Sequence, residues 1–218
     1  MEQLTYGKQW RGCTTECGVP QLYVSDKMPL TWFPMRVTYN RELKVKAELD
    51  LLGIENFLPM RYELEEGQKG RQLKRVPAIH NLLFIHSDED TLTTLKRTRR
   101  ALAPLRYMTR PIERGERREE RGKRAGESGR EIIRVPDRQM ENFMRVASLD
   151  DERVMFLDYN DFIASPGKRV KVTEGFFAGV EGTVKRIKNN RHVVVQIDGV
   201  AAVAIAYIPA KCLMGVDS

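Results

Sequence analysis

Short apolar strands separated by turn residues fill the last part of the chain, and they restrict its folds more than any other feature. Residues 166–172 start with a polar turn and then alternate apolar and polar residues, the pattern of a half-buried strand. Residues 180–187 repeat the alternation, residues 192–197 are predicted as the returning strand, and glycine or asparagine residues mark the turns between them. A further strand is predicted at 203–208. Strands at this spacing predict a small SH3-like barrel over residues 164–218, because closing the sheet removes unpaired edges.

Residues 30–146 predict a separate α+β unit ahead of this barrel. The apolar periodicity gives the order β-α-β-β-β-α-β-α, which is typical of a mixed sheet with helices on one face. The first strand, 31–39, contains Pro34, which donates no ladder hydrogen bond and is expected at an edge or a bulge. Asn40 is expected to cap a helix over 41–52, in which one stripe consists of Leu43, Ala47 and Leu51. The other elements are predicted as strands at 54–61, 71–76, 79–85 and 105–108 and as helices at 90–100 and 136–146.

Three segments lack the periodicity of packed elements. Residues 110–130 hold thirteen charged residues and four glycines, so they are expected to form a flexible loop. Residues 147–163 carry five acids and one base and are expected to be an acidic linker with a short apolar anchor at 155–157. Residues 1–29 are interpreted as a tail. The α+β unit and the barrel are therefore expected to fold separately.

Composition excludes several classes of protein. The net charge of +7 permits contact with nucleic acid without requiring it. No stretch approaches the length of a membrane span, and the first residues do not begin a signal peptide. Three cysteines are too few for a disulfide framework, which fits a reducing cytoplasm. We expect a cytoplasmic protein with no membrane partner.

The sequence contains no pattern typical of catalysis. Its histidines, His80, His86 and His192, are scattered and lack metal-ligand spacing. No nucleophile lies in a pattern with a base, and no phosphate-binding glycine loop precedes a helix. We predict that the protein is not an enzyme and that it holds neither a metal nor a cofactor.

The order of elements and several motifs resemble the NusG-type transcription elongation factors, in which an NGN domain precedes a KOW domain. Residues 167–184, with glycines at 167, 175, 179 and 182, resemble the KOW motif. The segments 32–37, 42–52, 54–59 and 76–85 resemble the NGN domain. The similarity is greatest to the specialised antiterminators typified by RfaH and to the UpxY proteins of surface-polysaccharide operons. General NusG proteins have Phe-Pro-Gly-Tyr where this chain has Ile-His-Asn-Leu at 79–82, which favours a specialised member.

The resemblance implies that RNA polymerase is the main partner. In the family, an apolar depression on the NGN sheet receives the clamp helices of the largest polymerase subunit. By position, the residues that would line it are Arg36, Ile79, Leu82, Phe84 and Tyr107. Leu82 and Phe84 are expected to face the partner, although alternation would place some of the five in the core. Thr93 and Thr94 lie near the motif that contacts the far jaw of the polymerase cleft, and they are equally explained as exposed helix residues.

The resemblance also implies nucleic-acid and C-terminal partners. The basic residues that would face the displaced non-template DNA or the nascent RNA are Arg41, Lys44, Arg97, Arg99 and Arg100. Cations at a helix end also complement the helix dipole, so this second explanation stays open. Phe176 and Phe177 would contact a ribosomal protein or a termination factor, with one ring expected in the core.

Three functions follow from these patterns. The first is a polymerase-bound antiterminator that suppresses pausing or termination on particular operons. The second is an RNA- or ribosome-binding KOW protein without a direct role on polymerase. The third, a catalytic domain of an unrecognised kind, has no motif in its favour.

Overall fold

The structure, a computed structural model, describes residues 29–67, 70–112, 129–149, 151–157, 167–187 and 190–216. Most of the predicted tail and of the predicted charged loop and part of the predicted linker lie outside these residues.

An antiparallel four-stranded sheet, here called the N-terminal sheet, organises the first part of the chain. Its strands are β1 (Thr31–Val37), β2 (Asn56–Phe57), β5 (Leu82–Ser87) and β6 (Leu105–Tyr107), in the order β2-β5-β1-β6. Every paired strand is antiparallel, so the α+β class is confirmed while the expectation of a mixed sheet is wrong. Pro34 lies in an inner strand, but β6 pairs only with Met35 to Val37. Pro34, which has no backbone N–H to donate, therefore lies just beyond the residues that pair with β6.

The pleat of this sheet sorts its side chains onto two covered faces. Phe33, Met35, Leu83 and Ile85 pack against the first two helices. The alternate residues of the same strands pack against the third helix and the C-terminal strands. The helices are α1 (Glu42–Leu51), α2 (Glu89–Thr98), which a 3-10 turn at Arg100–Leu102 follows, and α3 (Asp137–Ala147). The expectation of helices on one face is wrong for α3, because its apolar stripe covers the opposite face.

Helix α1 differs from its prediction at both its start and its faces. Arg41 occupies the N-cap position without a side-chain hydrogen bond, so Asn40 does not cap the helix. Val45 and Leu49 are buried against the sheet. The predicted stripe of Leu43, Ala47 and Leu51 lies on the exposed side instead. Apolar residues thus occupy both sides of α1, and its sequence alone does not indicate which side is inner.

Two antiparallel hairpins extend from the N-terminal sheet. Strands β3 (Met60–Gly67) and β4 (Gly70–Pro77) pair along their whole length as a two-stranded ribbon. Strands β7 (Thr109–Pro111) and β8 (Arg130–Ile132) pair at the two ends of the charged segment. The ends of that segment are therefore strands.

The C-terminal strands form one antiparallel sheet of six strands, here called the C-terminal sheet. They are β9 (Val154–Leu157), β10 (Lys168–Val172), β11 (Glu181–Ile187), β12 (Asn190–Ile197), β13 (Ala201–Ala206) and β14 (Leu213–Gly215), with a 3-10 turn at Ala210–Cys212 before β14. Their order is β14-β10-β11-β12-β13-β9. Strand β9 comes from the segment expected to be a linker, and it pairs with β13 from Ala202 to Ile205. At Gly182 an added Cβ would lie 2.7 Å from the carbonyl oxygen of Val194, so this position in β11 requires glycine.

Helix α3 lies between the two sheets and joins them through one apolar cluster. Met140, Phe143 and Val146 are buried in it. The same cluster contains Trp32 and Phe84 of the N-terminal sheet and, from the C-terminal strands, Val172, Val195, Val203 and Ile205. The two parts of the chain therefore share a core in this arrangement.

Candidate functional site

The candidate site is the face of the N-terminal sheet that points toward the C-terminal sheet. Strand register places Leu82, Arg36 and Arg106 side by side across three strands. Leu82 is only 4% exposed, and Phe84 is fully buried. Parts of the same chain cover both side chains in this arrangement, and their expected contact with a partner stays a prediction.

Phe84 is held in an aromatic group between the sheet and α3. Its ring centroid lies 5.6 Å from that of Phe143 and 6.4 Å from that of Phe57. Phe57 and Phe143 meet edge to face at 6.3 Å. These distances are typical of favourable aromatic pairs. Phe84 therefore fixes α3 on the sheet, which is the structural alternative that the sequence left open.

Leu82 lies instead beside an open cleft of about 890 Å³ between the two sheets. Ile79 and Arg36 line the same cleft from the N-terminal side, and Phe156 and Ala201 line it from the C-terminal side. Ile79 is partly buried and Arg36 is exposed. Three of the five predicted contact residues therefore line one concave surface, and the C-terminal sheet forms its other wall.

Arg36 and Arg106 are like charges directly opposite each other on neighbouring strands. Cross-strand pairs of like charge destabilise a sheet unless an anion compensates them. The Arg106 guanidinium donates to the carbonyl oxygens of Ala103 and Leu105 at 2.5 and 2.8 Å. Arg36 has no such partner among the described residues. The edge of the cleft is therefore cationic, and Arg106 was missed because only the strand register brings it beside Arg36.

Tyr107 points to the other face of the sheet. Its hydroxyl group lies 3.2 Å from Thr93 Oγ1, and Lys96 Nζ lies 4.3 Å from the centre of its ring. Burial raises the pKa of the Tyr107 hydroxyl. Burial, followed by the charge of Arg106, lowers the pKa of Lys96. Tyr107 and Thr93, which were predicted for two different contacts, therefore form one polar group away from Leu82.

The predicted basic residues surround α1 and the end of α2. Arg99 reaches from the end of α2 to Glu48 of α1, with an N–O distance of 3.9 Å. The Arg41 guanidinium lies 5.7 Å from the ring centre of Tyr39, which is largely exposed. The remaining members of the set, Lys44, Arg97 and Arg100, are exposed, as is Thr94. The structure therefore joins the two helices that carry these cations but leaves most of the cations in solvent.

Residues 30–144, which include the N-terminal sheet and most of α3, match the protein family described as transcription termination factor NusG. The match covers more than half of the chain. The chain belongs to the NusG family. No curated protein matches the chain. NusG-family proteins are transcription elongation and termination factors that interact with RNA polymerase, and this supports the same general role here.

Outside the NusG match, the predicted aromatic pair of the C-terminal part divides as expected. Phe177 is buried, whereas Phe176 is 70% exposed. The two rings meet edge to face at 5.7 Å, and the Arg153 guanidinium lies 5.0 Å from the ring centre of Phe177. Phe176 is therefore the ring of this pair that a partner can reach.

Polar contacts between α3 and the C-terminal sheet were absent from the sequence-based predictions. Arg138 Nη2 donates to Glu181 Oε1 at 2.6 Å, and Gln139 Nε2 donates to the Gln196 carbonyl oxygen at 3.1 Å. The hydrogen bond from Arg138 lowers the pKa of Glu181. No local pattern predicts these contacts, because the paired residues are 43 and 57 positions apart in the sequence and meet only when α3 packs on the C-terminal sheet. They hold α3 against the C-terminal sheet.

The described residues show no metal centre and no membrane-crossing helix. No three His, Cys, Asp or Glu side chains in the described ranges are arranged to bind a metal ion. The helices in those ranges are too short or too polar to cross a membrane.

Proposed function

We propose that this NusG-family protein binds RNA polymerase through the cleft face of its N-terminal sheet and suppresses pausing or termination. The family match carries the proposal, because it spans the whole sheet on which Arg36, Ile79 and Leu82 line one concave surface. The clamp helices of the largest polymerase subunit are the expected occupant. The departure from the general motif at 79–82 supports a specialised member that acts on particular operons, of the surface-polysaccharide type.

Full engagement of this face requires the C-terminal sheet to move. Leu82 is buried, and Val200 and Ala201 line the cleft opposite it. A clamp helix that contacts Leu82 must therefore replace part of the C-terminal wall. Only molecules in the open arrangement can bind polymerase through this face. The apparent affinity of the whole chain for polymerase is therefore the affinity of the open form multiplied by the fraction of molecules that are open.

Secondary contacts follow from the exposed residues. Thr93 and Thr94 are proposed to contact the far side of the polymerase cleft, and Arg41 and Lys44 to approach displaced DNA or nascent RNA. Phosphate contacts of this kind strengthen binding without reading sequence. Phe176 is proposed to contact a ribosomal protein or a termination factor.

The test is binding of the full chain to purified RNA polymerase elongation complexes and to ribosomes, together with terminator read-through in vitro. We expect binding to polymerase and increased read-through. Binding to ribosomes alone would instead support the RNA- or ribosome-binding alternative, and it would overturn the proposal. The variant Leu82→Glu is expected to weaken polymerase binding about tenfold or more, since ~1.4 kcal/mol corresponds to a factor of ten. Because Leu82 is buried, the melting temperature of the Leu82→Glu variant must be measured alongside its binding to polymerase.

A further inference from the structure

Glu42, the first residue of α1, carries a carboxylate that is buried in the N-terminal part of the chain. The residue is only 3% exposed. Its Oε1 atom accepts a hydrogen bond from the backbone N–H of Asn81 at 2.7 Å. No Lys, Arg or His side chain of the described ranges forms an ion pair with it. Burial of a charge without a cation is costly, and the start of a helix offsets only part of that cost. The hydrogen bond with Asn81 is therefore the contact that gives this buried carboxylate a role.

The two turns that Glu42 joins form one rim of the cleft between the sheets. The turn at 38–41 leads from β1 into α1, the turn at 78–81 leads into β5, and residues of both line the cleft. The left-handed residues of these turns, with φ angles of 67°, 49° and 60°, are Tyr39, Asn40 and Asn81. Among the other described residues that are not glycine, only Tyr207 has a positive φ. Backbone conformations of this kind cluster at binding sites, where the surrounding structure must hold them.

Asn81 is held in its left-handed conformation through both of its main-chain groups. Its N–H donates to Glu42, and its carbonyl oxygen accepts from the N–H of Val37 at 3.1 Å. Ile79 and Leu82, on either side of Asn81 in the sequence, line the cleft. Without the carboxylate, the N–H of Asn81 loses its acceptor, and the residue is free to return to commoner conformations. The directions in which Ile79 and Leu82 leave the turn therefore depend on Glu42.

We propose that Glu42 is a positioning residue for the polymerase contact, a role that rests on the function proposed above. Glu42 holds the rim of the cleft, and with it Ile79 and Leu82, in the shape that the clamp helices contact. A chain without this hydrogen bond has the turn in other conformations for part of the time. Its apparent affinity for polymerase falls in proportion to the fraction of molecules that keep the correct turn. A residue that served packing alone would change the stability of the chain and leave the affinity of the folded molecules unaltered.

Equilibrium binding of full-chain variants to purified elongation complexes tests this role, at a temperature where every variant is folded. Glu42→Met removes the acceptor at nearly constant side-chain length and should weaken binding about five- to tenfold, because loss of a charge-assisted hydrogen bond releases the turn. Glu42→Gln keeps a side-chain oxygen for Asn81 and should bind within about twofold of the unaltered chain. Asn81→Val places a branched residue where φ is positive, so it should lose affinity as Glu42→Met does.

Val45→Ala is the matched control for loss of stability. Val45 lies one turn further along α1 and is fully buried, but it does not line the cleft. This variant should lower the melting temperature and leave the affinity for polymerase unchanged. Hydrogen exchange of the Asn81 amide in the free chain should become faster in Glu42→Met and stay unchanged in Val45→Ala.

Two results would overturn the role of Glu42 while the assignment of the cleft to polymerase stands. One is equal affinity of Glu42→Met and the unaltered chain, or an equal loss in Val45→Ala. The other is an unchanged exchange rate of the Asn81 amide in Glu42→Met. If the unaltered chain itself does not bind polymerase, the proposed function and this role fall together.

Discussion

Reversal of one charge on α3 should loosen the contact between this helix and the C-terminal sheet. Arg138 donates to Glu181 at 2.6 Å, and Lys171 Nζ lies 3.8 Å from the same carboxylate oxygen. The Arg138 side chain is 76% exposed, so the pair belongs to the weak, solvent-screened class. Such pairs contribute about 0.2–1 kcal/mol, and a like-charge pair costs a similar amount. Arg138→Glu should therefore shift docking by about 0.5–2 kcal/mol, or roughly 2- to 30-fold.

Thiol labelling measures this shift directly. Val195 of β12 is buried and lies in a second cleft, which Gln139 and Asn142 of α3 also line. In a background without the natural cysteines, the labelling rate of Val195→Cys reports how often the sheet undocks from α3. Val45→Cys, in the core under α1, reports unfolding of the N-terminal part instead. We expect Arg138→Glu to speed labelling at position 195 and to leave position 45 unchanged.

A matched ion pair controls for charge reversal as such. Arg134 Nη2 pairs with Glu89 Oε2 at the same distance of 2.6 Å, but both residues belong to the N-terminal part. Arg134→Glu should not change labelling at position 195. If Arg138→Glu leaves that rate unaltered, or Arg134→Glu raises it equally, the Arg138–Glu181 pair does not hold the sheet on α3.

The packing of Phe143 and Gly182 and the lowered pKa of Glu181 can each be tested. Phe143→Ala removes the ring that joins α3 to the sheet and should lower the unfolding free energy by about 3–5 kcal/mol in urea denaturation, whereas a loss under ~1 kcal/mol would contradict its role. Gly182→Ala places a Cβ against the carbonyl oxygen of Val194 and should cost about 1–3 kcal/mol, so an unchanged melting temperature would count against this close approach. The hydrogen bond from Arg138 lowers the pKa of the Glu181 carboxyl group. The stabilisation that this hydrogen bond gives the folded state is fully present above the unfolded pKa of about 4.3, and it is lost as the pH falls through the lower pKa of the folded state. Undocking measured by thiol labelling should therefore increase in acid, and a flat profile from neutral pH to below that folded value would rule out the pair as a contributor.

Local patterns predicted the elements whose environment is repetitive. Apolar and polar alternation located β11, and a β-branched apolar run between turn residues located β12. Helix α3 was predicted at 136–146 from Pro136 at its start, and its buried residues form a single stripe. The α+β class followed from the order of these elements.

Long-range packing decided what the sequence left ambiguous. The run from Leu82 to Ile85 is apolar without alternation because both faces of β5 are covered, so the pattern does not separate core residues from contact residues. Strand β9 is a short apolar segment next to acidic residues, and only its pairing with β13 makes it a strand. Helix α1 has apolar residues on both sides, which removes the signal for its inner face. In each case the deciding partner is distant in sequence.

Arg36→Glu tests whether the cleft face of the N-terminal sheet binds RNA polymerase. Arg36 lies at the edge of the cleft, is exposed and has no side-chain partner among the described residues, so its reversal should leave the fold intact. Arg186→Glu, on the exposed side of β11, is the control of equal charge change. Equilibrium binding to purified elongation complexes should weaken about tenfold or more for Arg36→Glu, equivalent to ~1.4 kcal/mol, and should stay unchanged for Arg186→Glu. Equal affinity of Arg36→Glu and the unaltered chain would contradict the assignment of this face to polymerase.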